Sequence, residues 1–327
     1  MASEKYSLPP IVALEEHFLS KNTEMRQFKA IVAEMGVESK VFDVGAQRIA
    51  DMDAVGLSMQ VLSHGAGFAD DPRVCSMIND EIAAAVKANP SRFAGFAFLP
   101  MAQPQKAADE LRRCIRDLGF CGALIDNHVD GVYFEGPQYD VFWSAAESLD
   151  APIYLHPAFA TDKMMEWYKG AYSTGAANCM AMATFGWHFD TATHVLRLYA
   201  SGVFDRFPKL KIILGHFGES LPFWKERIVK SSETQPWGDL KRLFNRVYDE
   251  NLWFTTSGVY ELGPMACMLR NTRMDRIMFS IDYPFAPMEL GIKWLKELRE
   301  SGLVDQEQFE MVCYRNAKDL LGLNLPK

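Results

Sequence analysis

Short apolar runs alternate with longer amphipathic stretches along this chain of 327 residues. The runs are IVALEEH (11–17), MQVLSHG (59–65), FAGFAFLP (93–100), GALIDNH (122–128), PIYLHP (152–157), LKIILGHFG (210–218), LWFTTSG (252–258) and RIMFSIDYP (276–284). Each is short enough to be a buried strand. Between them, residues 72–90 and 103–120 carry apolar positions at helical spacing. The first stops at Asn89-Pro90 and the second at Gly119; 288–302 stops in the same way at Gly302. Strands alternating with helices predict parallel βαβ units. Eight units in one chain of this length predict an α/β fold, a single closed (β/α)8 TIM barrel spanning 1–327. The competing arrangement is a doubly wound open sheet. That fold places a glycine-rich turn after its first strand, and here the turn reads EEHFLSKNTE.

Two stretches depart from the rhythm. Residues 19–58 hold two helical segments, the second through AQRIADMDAVGLS. Residues 158–193, after the fifth strand, form a long insertion rich in methionine and aromatic residues, including DKMMEWYKGAY and MAMATFGWHF. A long loop at the C-terminal end of a barrel strand shapes or covers a site. The same composition suits an oligomer contact, so the insertion is read as a lid or an interface.

Composition narrows the partners. The chain is 49% hydrophobic and 23% charged, with a net charge of −8. No basic cluster is long enough to follow a phosphate backbone, so nucleic acid is not an expected partner. MASEKYSLPP lacks the apolar core of a signal peptide, and no apolar run is long enough to span a bilayer. The six cysteines form no C-x-x-C pair. They read as free thiols in a reducing compartment, hence a cytoplasmic location.

The ends of the predicted strands carry the chemistry. Strand one ends in Glu15-x-His17, strand two in His64, strand five in His156, strand six in His216 and strand eight in Asp282. In a barrel these ends converge on the face that holds the active site. Strand alternation puts Glu15 and His17 on one side and Glu16 on the other. A single histidine at a strand end is ordinarily a hydrogen-bonded structural residue. Imidazoles and carboxylates together at the same end of strands one, five, six and eight describe a catalytic divalent metal site.

These residues sit in stretches that resemble a known family. VALEEHF, RIADMDAVGL, LGFCGALIDNH, PIYLHP, GVFDRFPKLKIILGHFGESLPFWKERI, TTSGV and RIMFSIDYPF occur in the same order in the amidohydrolase superfamily, in its aminocarboxymuconate-semialdehyde decarboxylase branch. Within it the chain is most similar to ortho-hydroxybenzoate decarboxylases acting on γ-resorcylate, 2,3-dihydroxybenzoate, salicylate or 5-carboxyvanillate. The resemblance implies one divalent ion (zinc, manganese or magnesium) and no organic cofactor. It implies Glu15, His156 and Asp282 as principal ligands, with His17 a ligand or near neighbour. His216 and Glu219 match the family's His–Glu pair beside the metal, and Arg48 and Arg227 match arginines that meet the substrate. Family habit also implies a homodimer or homotetramer. A binuclear hydrolase fits less well: such enzymes often begin with His-x-His and carry a lysine at the end of strand four, which here ends LIDNH.

The expected reaction is non-oxidative decarboxylation of a small ortho-hydroxylated aromatic acid. Asp282 would protonate the ring carbon that bears the carboxylate, and His216, oriented by Glu219, would bond a substrate oxygen or shuttle a proton. His64, Phe68, Trp187 and Phe285 are candidate specificity residues, with core packing as the alternative role of the aromatics. PAFATDKMMEWY after His156 is nearer to the 5-carboxyvanillate enzymes than to the γ-resorcylate ones. The alternatives are a mononuclear hydrolase, such as a lactonase, using the same ligands, and a silent barrel that binds a metabolite.

Overall fold

The computed structural model describes residues 8–21, 23, 32–65 and 71–325. All eight predicted strands form: β1 (Val12–Phe18), β2 (Met59–His64), β3 (Phe93–Ala97), β4 (Gly122–Asp126), β5 (Ile153–His156), β6 (Ile212–Leu214), β7 (Leu252–Thr255) and β8 (Ile277–Met278). They pair in sequence order and every pair is parallel. The chain continues from β8 back to β1, where Glu16 and Tyr283 form a parallel bridge and the His17 N–H donates to the Tyr283 carbonyl at 2.7 Å. The eight strands and the helices between them make a (β/α)8 barrel, not an open sheet.

The barrel is filled from the bottom. Val12, Leu14, Met59, Val61, Phe96, Leu124, Tyr154, Ile213, Trp253 and Met278 make one buried cluster with a contribution from every strand. Ala317, Leu321 and Leu323 join it from the C-terminal helix and the turn after it. A second, larger apolar layer lies between strands and helices, built from residues of opposite parity such as Ala13, Leu62, Ala97, Ile125, Leu155 and Leu214. These two layers are what the period-two pattern dictates for a strand buried on both faces.

The helices begin where expected and end slightly early. Pro72–Ala88 starts with proline in its first turn and is capped by the Asp71 carboxylate, which accepts from the Arg73 N–H. Pro104–Arg116 and Met288–Glu300 end three and two residues before Gly119 and Gly302, which take positive φ in the turns that follow. After β5 the chain forms the short helices Asp162–Met165 and Thr174–Ala181. Gly186–Ala200 then packs as a barrel helix, so residues 186–193 of the expected insertion belong to it.

Two local departures from regular structure position the site. The β1–β2 register shifts between Ala13 and Glu16. This bulge lets Val12 and Leu14 face the lumen and then turns Glu15 and His17 inward as well, which strict alternation forbids. The second departure follows β6. His216, Phe217, Gly218, Glu219 and Ser220 all have φ between +48° and +80°. Four of the five are not glycine, and left-handed backbone costs such residues roughly 1–2 kcal/mol each. A strained turn of this kind persists only where its surroundings over-determine it.

Candidate metal centre

Glu15 Oε1 is the hub of the barrel mouth. His156 Nε2 lies 3.3 Å from it, and His17 Nε2 and His216 Nε2 each lie 3.8 Å away. Asp282 Oδ1 is 3.5 Å from His17 Nε2. The donors come from β1, the end of β5 and the loops after β6 and β8, so four strand ends meet at one point. Glu15 is fully buried, and its Oε1 and His17 Nε2 have no hydrogen-bond partner. Buried polar atoms left this way are costly unless something else binds them. Two ligands about 2.1 Å from one ion at right angles stand about 3 Å apart, close to the spacings seen here.

The surrounding bonds aim these atoms. His156 Nδ1 is 2.8 Å from the Pro157 carbonyl, which fixes its proton there and leaves Nε2 as a free lone pair. His17 Nδ1 lies 3.1 Å from Ser63 Oγ. The Tyr154 hydroxyl donates to Glu15 Oε2 and is 2.7 Å from Thr255 Oγ1. His216 Nδ1 is 2.8 Å from Glu219 Oε1, and His188 Nδ1 is 2.6 Å from Glu219 Oε2.

The charges are tightly set. Burial pushes the Glu15 carboxyl up, but His216, His156 and His17 outweigh it and hold it well below the usual range. Burial drives His17 down to about 4. It acts the same way on His216, where Glu219 and Glu15 prevail and raise it to about 10. Asp282 is pushed up to about 8, by burial first and the Glu15 charge second. A cation held by these groups would offset that shift, since it favours the charged form of each carboxylate. Two acids and three imidazoles with room between them are the donor set of a divalent ion, and the residues fit one.

Other expected site residues have different surroundings. Phe285 stands beside the cluster, its ring centroid 5.8 Å from that of His17. Trp187 packs edge-on against Phe159 at 5.5 Å. His64 is buried with both ring nitrogens on the backbone: Nε2 accepts from the Ser20 N–H and Nδ1 faces the Gly65 carbonyl. Arg48 is fully buried and donates to the carbonyls of His17 and Asp43, with its guanidinium over the Tyr283 ring. These bonds brace the end of β1, and the Arg48 Nη1 is buried without a hydrogen-bond partner. Arg227 is exposed on the helix Leu221–Thr234, in a groove with Trp224 and Phe189 on the flank of the barrel. Phe68 lies outside the described residues. Glu16 points away from the mouth as expected but not to solvent. It is buried, and its carboxylate accepts from Gln60 and the Ile281 N–H to close the β1–β8 seam.

Sequence reasoning did not single out Tyr154, Ser63 or His188. Tyr154 stands two residues before His156 and shares its face, a signal that alternation offered. Ser63 and His188 had no comparable signal, because their partners come from other strands or loops.

Residues 41–323 match the amidohydrolase family. The chain belongs to that family. It is 45% identical to the decarboxylase orsB of Emericella nidulans over 98% of this chain and 99% of that protein. The dihydroxybenzoic acid decarboxylase of Polaromonas sp., solved with bound manganese and the inhibitor 2-nitroresorcinol, is 32% identical. It superposes with a TM-score of 0.88 over 98% of each chain. The 5-carboxyvanillate decarboxylase of Novosphingobium aromaticivorans, complexed with manganese and 4-hydroxy-3-methoxy-5-nitrobenzoic acid, is 25% identical. Its TM-score is 0.83 over 96% of each chain. These relatives are carboxy-lyases of the amidohydrolase family, and they do not favour the hydrolase alternative.

Proposed function

We propose that this amidohydrolase-family barrel is a metal-dependent decarboxylase of an ortho-hydroxylated aromatic acid, releasing CO2 and a phenol. The observation that carries the reading is the convergence of Glu15, His17, His156, His216 and Asp282 on one buried point. It occurs in a chain similar from end to end to aromatic-acid decarboxylases, two of them holding manganese.

Glu15, His156 and Asp282 hold the ion, with His17 as a fourth donor. When bound, a divalent ion supplies Lewis-acid polarisation of a substrate carboxylate and its neighbouring phenolic oxygen. Asp282 takes the phenolic proton and delivers it to the ring carbon that bears the carboxylate. The carbon–carbon bond then breaks, its electron pair returns to the ring, and CO2 leaves. The resulting phenolate takes a proton from water on release. His216, fixed by Glu219, bonds the phenolic oxygen, which carries charge before the carbon is protonated and regains it as CO2 leaves. Arg48, anchored to the end of β1, offers its unpartnered Nη1 to a substrate carboxylate or phenolate. Phe285 and Trp187 form walls for the aromatic ring.

The chain acts as a homodimer or homotetramer. Trp167, 89% exposed, with Tyr172, Phe185, Phe189, Phe223 and Trp224, supports a contact through the segment after β5 and the neighbouring helix. All six cysteines are unpaired, which fits the reducing cytoplasm. Among the described residues no helix is long and apolar enough to cross a membrane.

An absorbance assay over salicylate, 2,3-dihydroxybenzoate, 2,6-dihydroxybenzoate and 5-carboxyvanillate, with and without chelator, tests the reading. Metal-dependent loss of one acid with the matching phenol and CO2 is the expected result. No turnover by metal-loaded protein would reject this substrate class and reopen the hydrolase alternative.

A further inference from the structure

The carboxylate of Glu219 is fully buried and has a histidine on each oxygen. His216 Nδ1 stands 2.8 Å from Oε1 and His188 Nδ1 stands 2.6 Å from Oε2. The second histidine is the first-turn residue of the helix Gly186–Ala200, and its Nε2 lies 2.9 Å from the Ala183 carbonyl. The two imidazoles also touch edge to face, with centroids 4.9 Å apart. His188 is therefore fastened at one end to the chain following β5 and at the other to the acid that orients His216.

We propose that His188 is a positioning residue for the reaction: it fixes the Glu219 carboxylate, which in turn keeps the His216 Nε2 atom turned toward Glu15 and the bound acid. Three facts carry this. Glu219 sits on the left-handed turn His216–Ser220, so its backbone alone gives no regular helical scaffold for an i,i+3 pair. Its side chain has to be held from outside that turn, and His188 is the group that reaches its free oxygen. A carboxylate bonded on one oxygen only can rotate about its last torsion, a broad well with little resistance. With Oε2 released, Oε1 would leave His216 Nδ1, and the ring would lose the bond that selects its tautomer. His188 touches neither Glu15 nor Asp282 through any hydrogen bond, so its effect passes through Glu219.

The inference rests on the decarboxylase reading for its catalytic consequence but not for its geometry, and the test separates the two. His188→Asn places an amide N–H near the position of Nδ1 and keeps the donor to Glu219; His188→Phe keeps the ring and removes both nitrogens. The metal-loaded proteins are assayed on whichever aromatic acid the wild type turns over. In parallel, 15N-histidine-labelled proteins are compared by NMR, with the His216 signals assigned from their loss in His216→Gln. The expected result is a kcat reduced roughly 10–100-fold in the Phe variant with KM within about threefold, and recovery of kcat in the Asn variant. The His216 Nδ1–H signal, shifted downfield by the Glu219 bond, should weaken or move in the Phe variant and persist in the Asn variant.

A Phe variant that lowers only the melting temperature, with kcat and the His216 signal unchanged, overturns the proposal. So does a rise in KM alone. If the wild type turns over no aromatic acid, the decarboxylase reading fails while the NMR comparison still decides the link: an unmoved His216 signal in the Phe variant rejects it.

Discussion

Asp282 Oδ1 stands 3.5 Å from His17 Nε2, although 264 residues separate the two in sequence. The pair joins the end of the first strand to the loop after the last. Its carboxyl is pushed up to about 8, and its partner imidazole down to about 4, so without a cation neither group favours its charged form near neutral pH. A divalent ion favours both carboxylate and neutral imidazole. Stripping the metal with a chelator should therefore lower the melting temperature, and titrating manganese back should restore it in a concentration-dependent way. A melting temperature indifferent to chelator and to added manganese would contradict a metal centre at this point.

Tyr154 is the donor that holds the second oxygen of Glu15. Tyr154→Phe keeps the packing of the lumen and removes that bond. Metal affinity should fall roughly 10–100-fold, as measured by competition with a chelating dye. The fold should survive, because the ring stays in the apolar cluster with Phe96 and Leu124.

The left-handed turn gives a paired prediction. At Gly218, φ is +80° and an added Cβ would lie 2.6 Å from Phe254 Cδ1 and 2.9 Å from Pro222. Gly218→Ala should cost more than about 2 kcal/mol, through strain and overlap together. Ser220 has φ +69°. Ser220→Gly relieves roughly 1–2 kcal/mol of strain and adds about 0.5–1 kcal/mol of unfolded-state entropy. Chemical denaturation should find it neutral to slightly stabilised.

Acid should weaken a network far from the mouth. Glu110 accepts from Asn79, Ser76 and Arg113, and Arg113 also bonds Asp80. Burial raises the Glu110 carboxyl, but Arg113 and Asn79 outweigh it and leave it below its ordinary value. The contribution is thus complete above the unfolded value near 4.5 and is lost as pH falls through the lower folded value. Glu110→Gln should be less stable than wild type by about 1–2 kcal/mol at pH 7. The gap should narrow toward pH 3; a gap independent of pH would assign the loss to shape and not to charge.

The strand runs announced the barrel, because burial on both faces leaves continuous apolar segments and the helix stops at Asn89-Pro90, Gly119 and Gly302 mark returns between them. The convergence at the mouth was legible for a related reason: Glu15, His17, His156, His216 and Asp282 stand where apolar strands end, and so many polar groups at one end of a barrel are hard to produce by core packing alone. The means of assembly were not legible. A bulge in β1 and five left-handed residues after β6 leave no periodic trace. Nothing in the sequence marks the carbonyls of His17 and Asp43 that take the Arg48 N–H groups. The held-in-place partners Ser63 and His188 depend on neighbours set only by the fold.

The lumen cluster includes Ala317, Leu321 and Leu323, which follow every strand in the chain. During synthesis the first strand must therefore wait, with Val12 and Leu14 exposed on the inner face, until residues 317–323 have left the ribosome. Asp282 imposes the same delay on the mouth above it. The barrel cannot be finished piecemeal from the N-terminus, and its early strands are a natural hold point for chaperones that shield apolar surface.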